Sequence, residues 1–215
     1  MRRTLVFLVL MSLVSGIALA SDSGAESTLL TFEAPSTDDT GDTFLTTIFA
    51  SDNNFAGNSF DIMALTDLTI VGFDVNLATN LPNYTVDVWT REGTADGFET
   101  SAAGWTLLGS EVVVPNGVDV PTHVNVGGMG ILAGDTLGVI ITAQEAVSGT
   151  GGFSYTNGGP NYYGNGDMDI MTYRGLSDGF PPGNTFEYRA WNGTVHYNYG
   201  VALANETWGN IKAAF

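Results

Sequence analysis

Residues 67–93 read DLTIVGFDVNLATNLPNYTVDVWTREG, and their alternation decides the fold class. Val71, Phe73, Val75 and Leu77 fall on one face of the first run. Tyr84, Val86 and Val88 share one face of the second, the period of two that a half-buried strand requires. The other face carries Asp74, Asn76, Asp87, Trp89 and Arg91. Between the runs stand Asn80, Pro82 and Asn83, turn formers that predict an antiparallel hairpin.

The same pattern continues outward from this stretch. Strands are expected at residues 28–34, 44–50 and 59–65 on one side, and at 105–114, 122–126, 153–157, 168–173, 186–191 and 194–199 on the other. Leu137, Val139, Ile140 and Ile141 make a run that is apolar on both faces, which marks a central strand. The stretches 36–43, 51–58 and 94–104 read as polar loops. The chain has 28 glycines, punctuated with Asn, Asp and Pro at strand-like spacing, and no helical period between residues 21 and 200.

The expectation is therefore an all-β fold of about ten to twelve short strands. Residues 28–200 would form a single antiparallel β-sandwich, jelly-roll-like in topology, with a closed barrel as the alternative. The absence of a fixed repeat counts against a propeller or β-helix. Within residues 201–215, Trp208, Ile211 and Phe215 follow Thr207 at helical spacing, predicting a short C-terminal helical tail.

Residues 1–20 read as a signal peptide. Arg2 and Arg3 precede an apolar run over 5–14, and Ala18-Leu19-Ala20 supplies a small-x-small cleavage site. That run falls short of the roughly 20 residues that span a membrane, so no membrane insertion is expected. Residues 21–27 read as a disordered leader. The protein is expected to be secreted, extracellular or at the cell surface, and its lack of cysteine is consistent with a chain long enough to bury a core without disulfides. Beyond the signal peptide, four basic residues (Arg91, Arg174, Arg189, Lys212) stand against 23 acidic ones. Such a balance disfavours nucleic acid and anionic lipid as partners.

Catalytic motifs fail on inspection. Gly175-Leu176-Ser177-Asp178-Gly179 matches the G-x-S-x-G of a nucleophile elbow, but Phe180-Pro181-Pro182-Gly183 follows and cannot continue into the required helix, so a surface turn is expected. His123 and His196 read as ordinary strand-face histidines, and zinc ligation through them would need carboxylates that the sequence does not place. The Glu-x-Asp-x-Glu strand pattern of one group of jelly-roll hydrolases is missing. No enzyme is expected, and a secreted glycoside hydrolase is the least favoured alternative.

Binding residues are easier to nominate. A sugar ring stacks on Trp or Tyr while Asp, Asn and Arg bond its hydroxyls. Trp89 with Asp87 and Arg91 fits that need, joined by Asp74 and Asn76 on the neighbouring strand of the expected hairpin. Tyr162 and Tyr163 form a second aromatic group in a glycine-rich stretch. A structural calcium ion is the cofactor considered, since hard cations take Asp, Asn and carbonyl oxygens in irregular loops. Its candidate ligands are Asp52 and Asn54 in one loop and Asn165, Asp167 and Asp169 in another. Asn83, Asn192 and Asn205 open N-x-Thr tripeptides that match a glycosylation acceptor.

The stretches AGNSFDI (56–62), IVGFDV (70–75), WTLLGS (105–110) and RAWNGTV (189–195) resemble exported bacterial β-sandwich modules that carry interchangeable C-terminal surface anchors. The resemblance spans about residues 44–199 and implies a surface or matrix protein. The chain departs from that group in showing no hydrophobic helix with a basic end, which leaves attachment to the envelope open. The expected function is a non-catalytic exported protein that binds polysaccharide, cell-surface glycan or other extracellular matter. Self-association as a purely structural exoprotein is the alternative.

Overall fold

The computed structural model describes residues 43–146 and 151–200. The expected signal peptide, leader, strand at 28–34 and C-terminal tail lie outside the described residues. In chain order the strands are β1 (Thr43–Thr46), β2 (Asn53–Phe55), β3 (Gly57–Ala64), β4 (Leu68–Asn76) and β5 (Tyr84–Glu92). There follow β6 (Thr106–Val113), β7 (Pro121–Val124), β8 (Met129–Ile131), β9 (Thr136–Ala143) and β10 (Phe153–Asn157). The last five are β11 (Tyr162–Gly164), β12 (Met168–Leu176), β13 (Thr185–Glu187), β14 (Arg189–Trp191) and β15 (Gly193–Tyr199).

The described chain is all-β, and its strand pairs are antiparallel. A five-stranded sheet runs β1-β15-β4-β7, with β8 also on β4; a seven-stranded sheet runs β11-β12-β3-β9-β5-β6, with β13 on β12; and β14-β10-β2 form a third, three-stranded sheet. As its two apolar faces predict, β9 is central, lying between β3 and β5 with every residue after Thr136 buried.

The hairpin expected at residues 67–93 does not form. β4 pairs with β15, β7 and β8, whereas β5 pairs with β6 and β9 in a different sheet. The turn-rich connection therefore carries the chain from one sheet to another. Alternation specifies which face of a strand is buried; it does not choose the strand alongside. Phe73, Val75 and Leu77 are buried as expected, with Tyr84, Val86 and Val88. Val71 is not, because Tyr197 pairs with Ile70 and His196 with Gly72, leaving Val71 as the extra residue of a β-bulge. Ile70 and Leu68 take the inward positions instead.

Two more boundaries differ from expectation. Part of the stretch 51–58, expected as a loop, is strand β2. The single strand expected at 186–191 is broken into β13 and β14 at Tyr188, whose φ of 54° lies in the left-handed region.

One buried cluster draws on all three sheets. Phe73, Val75, Val195 and Tyr197 come from the five-stranded sheet, Phe60, Ile62, Val86 and Ile141 from the seven-stranded one, and Trp191 and Phe153 from the third. Trp191 is the largest fully buried side chain among the described residues. Its ring stacks on Phe60 at 4.1 Å with 10° between planes, and meets Phe73 edge-on at 6.4 Å. Gly193 makes room for it, since a Cβ there would lie 2.0 Å from the indole. Trp191→Ala should cost about 3–5 kcal/mol, and Gly193→Ala about 1–3 kcal/mol by displacing the ring. Urea unfolding measures both, and a neutral Gly193→Ala would show that the ring does not occupy this position.

Candidate functional site

The outer face of the seven-stranded sheet is covered. Residues 94–105 and 178–183 lie over it, and Ala95, Trp105, Ile140 and Leu176 form a second buried cluster against which Trp89, Tyr173 and Phe180 pack. Phe180 sits between two indoles, 5.1 Å from Trp89 and 5.4 Å from Trp105. Trp89 Nε1 is buried without a hydrogen-bond partner among the described residues. Arg91 lies with its guanidinium 3.5 Å over the Phe98 ring. Asp87 is buried and accepts hydrogen bonds from Ser110 Oγ (2.5 Å) and Gln144 Nε2 (2.9 Å). Trp89 and Arg91 thus lie half-buried in a packed layer beneath Phe180 and Phe98. Asp74 and Asn76 lie in the other sheet, so they cannot extend that face. Asn76 is fully buried and exchanges hydrogen bonds with Asp119.

Beneath the covering loop is a polar network. Asp61 accepts from the Ala95 N–H (2.7 Å) and the Tyr173 hydroxyl (2.8 Å). Burial pushes the Asp61 carboxyl above its usual value despite those bonds, and burial together with Asp61 pushes the Tyr173 hydroxyl up to about 12. Glu99, 2 % exposed, accepts from Ser59 Oγ (3.0 Å) and Arg174 Nη1 (2.7 Å). Arg174 also holds Asp96 at 2.6 Å. A second bulge creates this arrangement. Thr172 pairs with Phe60 and Arg174 with Ser59, so the extra residue Tyr173 and its neighbour Arg174 serve the same outer side.

Beside this network a groove opens around Tyr188, which is 71 % exposed. Its two halves share Asn161, Thr172 and Tyr188. Asp96, Arg174 and Glu187 line one half; Gly158, Gly159 and Arg189 line the other. The Gly158 N–H donates to the Tyr188 carbonyl (2.6 Å), and Arg189 Nη1 donates to the Glu187 carbonyl (2.7 Å). These bonds hold the left-handed residue that presents the phenol. Tyr162, also exposed, donates its hydroxyl to Asp169 (2.7 Å), while Tyr163 turns inward onto the main core.

The residues expected to hold calcium have the following surroundings. Asp52 accepts the Asn157 N–H (2.7 Å), and Asn54 lies in strand β2. Asn165 bonds the Tyr197 hydroxyl (2.8 Å). Asp167 accepts from Tyr197 (2.7 Å) and Tyr199 (3.0 Å), whereas Asp169 faces Tyr162. Ser177 closes its turn by donating to Asp178 (2.7 Å) and accepting from the Asn184 N–H (2.9 Å). Asn192 is fully buried, with its amide on the Ile48 carbonyl (2.6 Å), so this acceptor tripeptide has no accessible nitrogen.

The outer face of the five-stranded sheet gathers three residues whose grouping the sequence did not disclose. Asp74 on β4 faces His123 on β7 in register, and His196 on β15 lies opposite Gly72. Asp74 Oδ1 is 2.9 Å from His123 Nδ1, and Oδ2 is 2.9 Å from His196 Nε2. The rings stand nearly perpendicular with centroids 5.1 Å apart. The sequence presents Asp74 as a sugar ligand and the histidines as ordinary strand residues; only the strand order β15-β4-β7 unites them. For Tyr188 the sequence offered no signal beyond an aromatic between two charges.

No protein-family model matches this chain, and comparison with curated proteins finds no match. The site residues therefore stand on geometry and chemistry alone.

Removing Arg174 strands the buried Glu99 charge. Arg174→Gln should cost about 3 kcal/mol in urea unfolding, and adding Glu99→Gln should recover much of it. Asp61 gives a pH signature. A carboxyl whose folded pKa is raised binds its proton more tightly when folded, so its contribution is fully favourable below about pH 4 and is lost as pH rises through the folded value. Unfolding free energies of the parent and Asp61→Asn, compared across acid to neutral pH, should show the parent's relative stability falling. A pH-independent difference would contradict the burial of this charge.

Proposed function

We propose that this protein is a non-catalytic, exported surface or matrix protein that binds glycan through the groove around Tyr188, on a jelly-roll-like β-sandwich. The observation that carries this reading is the exposed phenol, held in left-handed backbone between two open half-grooves rimmed by polar side chains. A phenol face offers a pyranose ring a stacking surface, and Asn161, Asp96, Glu187 and Arg189 offer donors and acceptors to hydroxyls. This moves the binding role from Trp89, which is half-buried against Phe180. The fold-level resemblance to anchored exported modules, the signal peptide read at residues 1–20 and the acidic balance support the location.

Catalysis is disfavoured by how the carboxylates beside the groove are used. Asp96 and Glu187 both approach Arg174, at 2.6 and 3.7 Å, in an ion-pair network instead of flanking a free glycosidic bond. Self-association has one observation in its favour. β6 is the edge of its sheet, and Leu107, Val112 and Val114 on and beside it are exposed.

A polysaccharide and glycan array, followed by titration calorimetry on any hit, tests the binding role. Tyr188→Ala should weaken the hit at least about tenfold, the scale of 1.4 kcal/mol from a lost stacking contact, while Trp89→Phe leaves it unchanged. An array without hits, or a hit indifferent to Tyr188, would sink this reading; concentration-dependent sedimentation would then favour the structural one.

A further inference from the structure

We propose that Asp74, His123 and His196 form a binding site for a borderline divalent transition-metal ion, with Zn²⁺ as the ion to try first. The three side chains come from three adjacent strands of one sheet, and one ligand atom from each lies within 4.8 Å of the others. Two imidazole nitrogens and a carboxylate oxygen are a donor set that zinc accepts, whereas calcium takes oxygen ligands. Tetrahedral zinc ligands sit roughly 3.3 Å apart, given bonds of about 2.0–2.1 Å. Each Asp74 oxygen lies 2.9 Å from one ring nitrogen, Oδ1 from His123 Nδ1 and Oδ2 from His196 Nε2, so a single oxygen meets this spacing with one ring and the other ring must move to reach it. Bringing all three ligand atoms, now within 4.8 Å, to that spacing requires ring movement, for which His123, at 55 % side-chain exposure, is the freer of the two.

Local construction favours this convergence. The bulge at Val71 shifts the β4–β15 register beside His196, a means by which strands re-aim a side chain. Gly72 fills the gap between the two histidine strands with hydrogen alone, and a Cβ there would press on His123 Cε1 at 3.0 Å. An open pocket reaches Asp74 and His196 past Phe44, Phe49 and Pro121. Three protein ligands beside an open pocket leave a coordination position for water or an external donor. The competing account is a purely structural tie, in which Asp74 simply accepts a hydrogen bond from each ring.

The test is calorimetric titration of the purified, chelator-treated protein with Zn²⁺, and separately with Ca²⁺. One saturable Zn²⁺ site is expected, with no competition from Ca²⁺, and Asp74→Asn or His196→Ala should each weaken it at least about tenfold. His123→Ala, at the exposed position, is the variant best placed to keep the fold. The chain has only two histidines, so their ring NMR signals report on this site in the unaltered protein, and both should move on adding Zn²⁺. Absence of saturable uptake, uptake that survives the substitutions in folded variants, or unmoved histidine signals would overturn the proposal in favour of the structural tie. Because this site and the Tyr188 groove use different residues, a failed glycan array leaves this result untouched.

Discussion

The stack of Trp191 on Phe60 is the contact on which the rest of the described structure depends. Trp191 belongs to β14, Phe60 to β3 and the edge-on partner Phe73 to β4, so one indole is in contact with elements of all three sheets. Large aromatic side chains contribute most to a core when fully buried in offset or stacked pairs. The packing also explains a glycine: at position 193 any Cβ would occupy the ring's volume. The same strand, β14, begins next to Tyr188. A ring locked into the core therefore fixes the backbone that presents an exposed phenol three residues earlier.

Bulges are the second constraint. An unbroken alternation would put Val71 inward and Tyr173 and Arg174 on opposite faces. Instead, the extra residue in β4 restores Ile70 and Leu68 to the core and sets the histidine strand beside Gly72, while the extra residue in β12 brings Tyr173 to Asp61 and Arg174 to Glu99. Each departure from regular pairing lies next to polar side chains that converge, the setting in which bulges recur in sheets.

The acidity of the chain also acquires a structural meaning. Composition suggests a solubilising surface, yet many carboxylates accept hydrogen bonds from distant segments. Asp119 is a case in point. Partial burial would raise its pKa, but the Ser51 N–H and hydroxyl and the Asn76 amide together hold it below the usual value. Glu145 is similarly lowered by the Thr85 hydroxyl and N–H, against its own desolvation. Both therefore support the fold above their unfolded pKa and lose that support as pH falls, the opposite sense to Asp61. These two loop-pinning carboxylates thus lose support toward acid, while the buried Asp61 loses it toward neutral pH.

The sequence by itself determined the all-β class, the central place of residues 137–141, the inward faces of residues 73–77 and 84–88, and the failure of the G-x-S-x-G motif to build an elbow. These follow from local physics: period-two alternation, the stiffness of proline and the demands of turns act between residues close in the chain. Tertiary structure alone decided that β4 and β5 enter different sheets, that Phe180 packs against Trp89, and that Asp74 meets two histidines 49 and 122 positions away. Side-chain alternation is blind to which strand lies alongside, because any strand with a matching buried face satisfies it. A site assembled across neighbouring strands becomes legible only once backbone pairing has fixed their order.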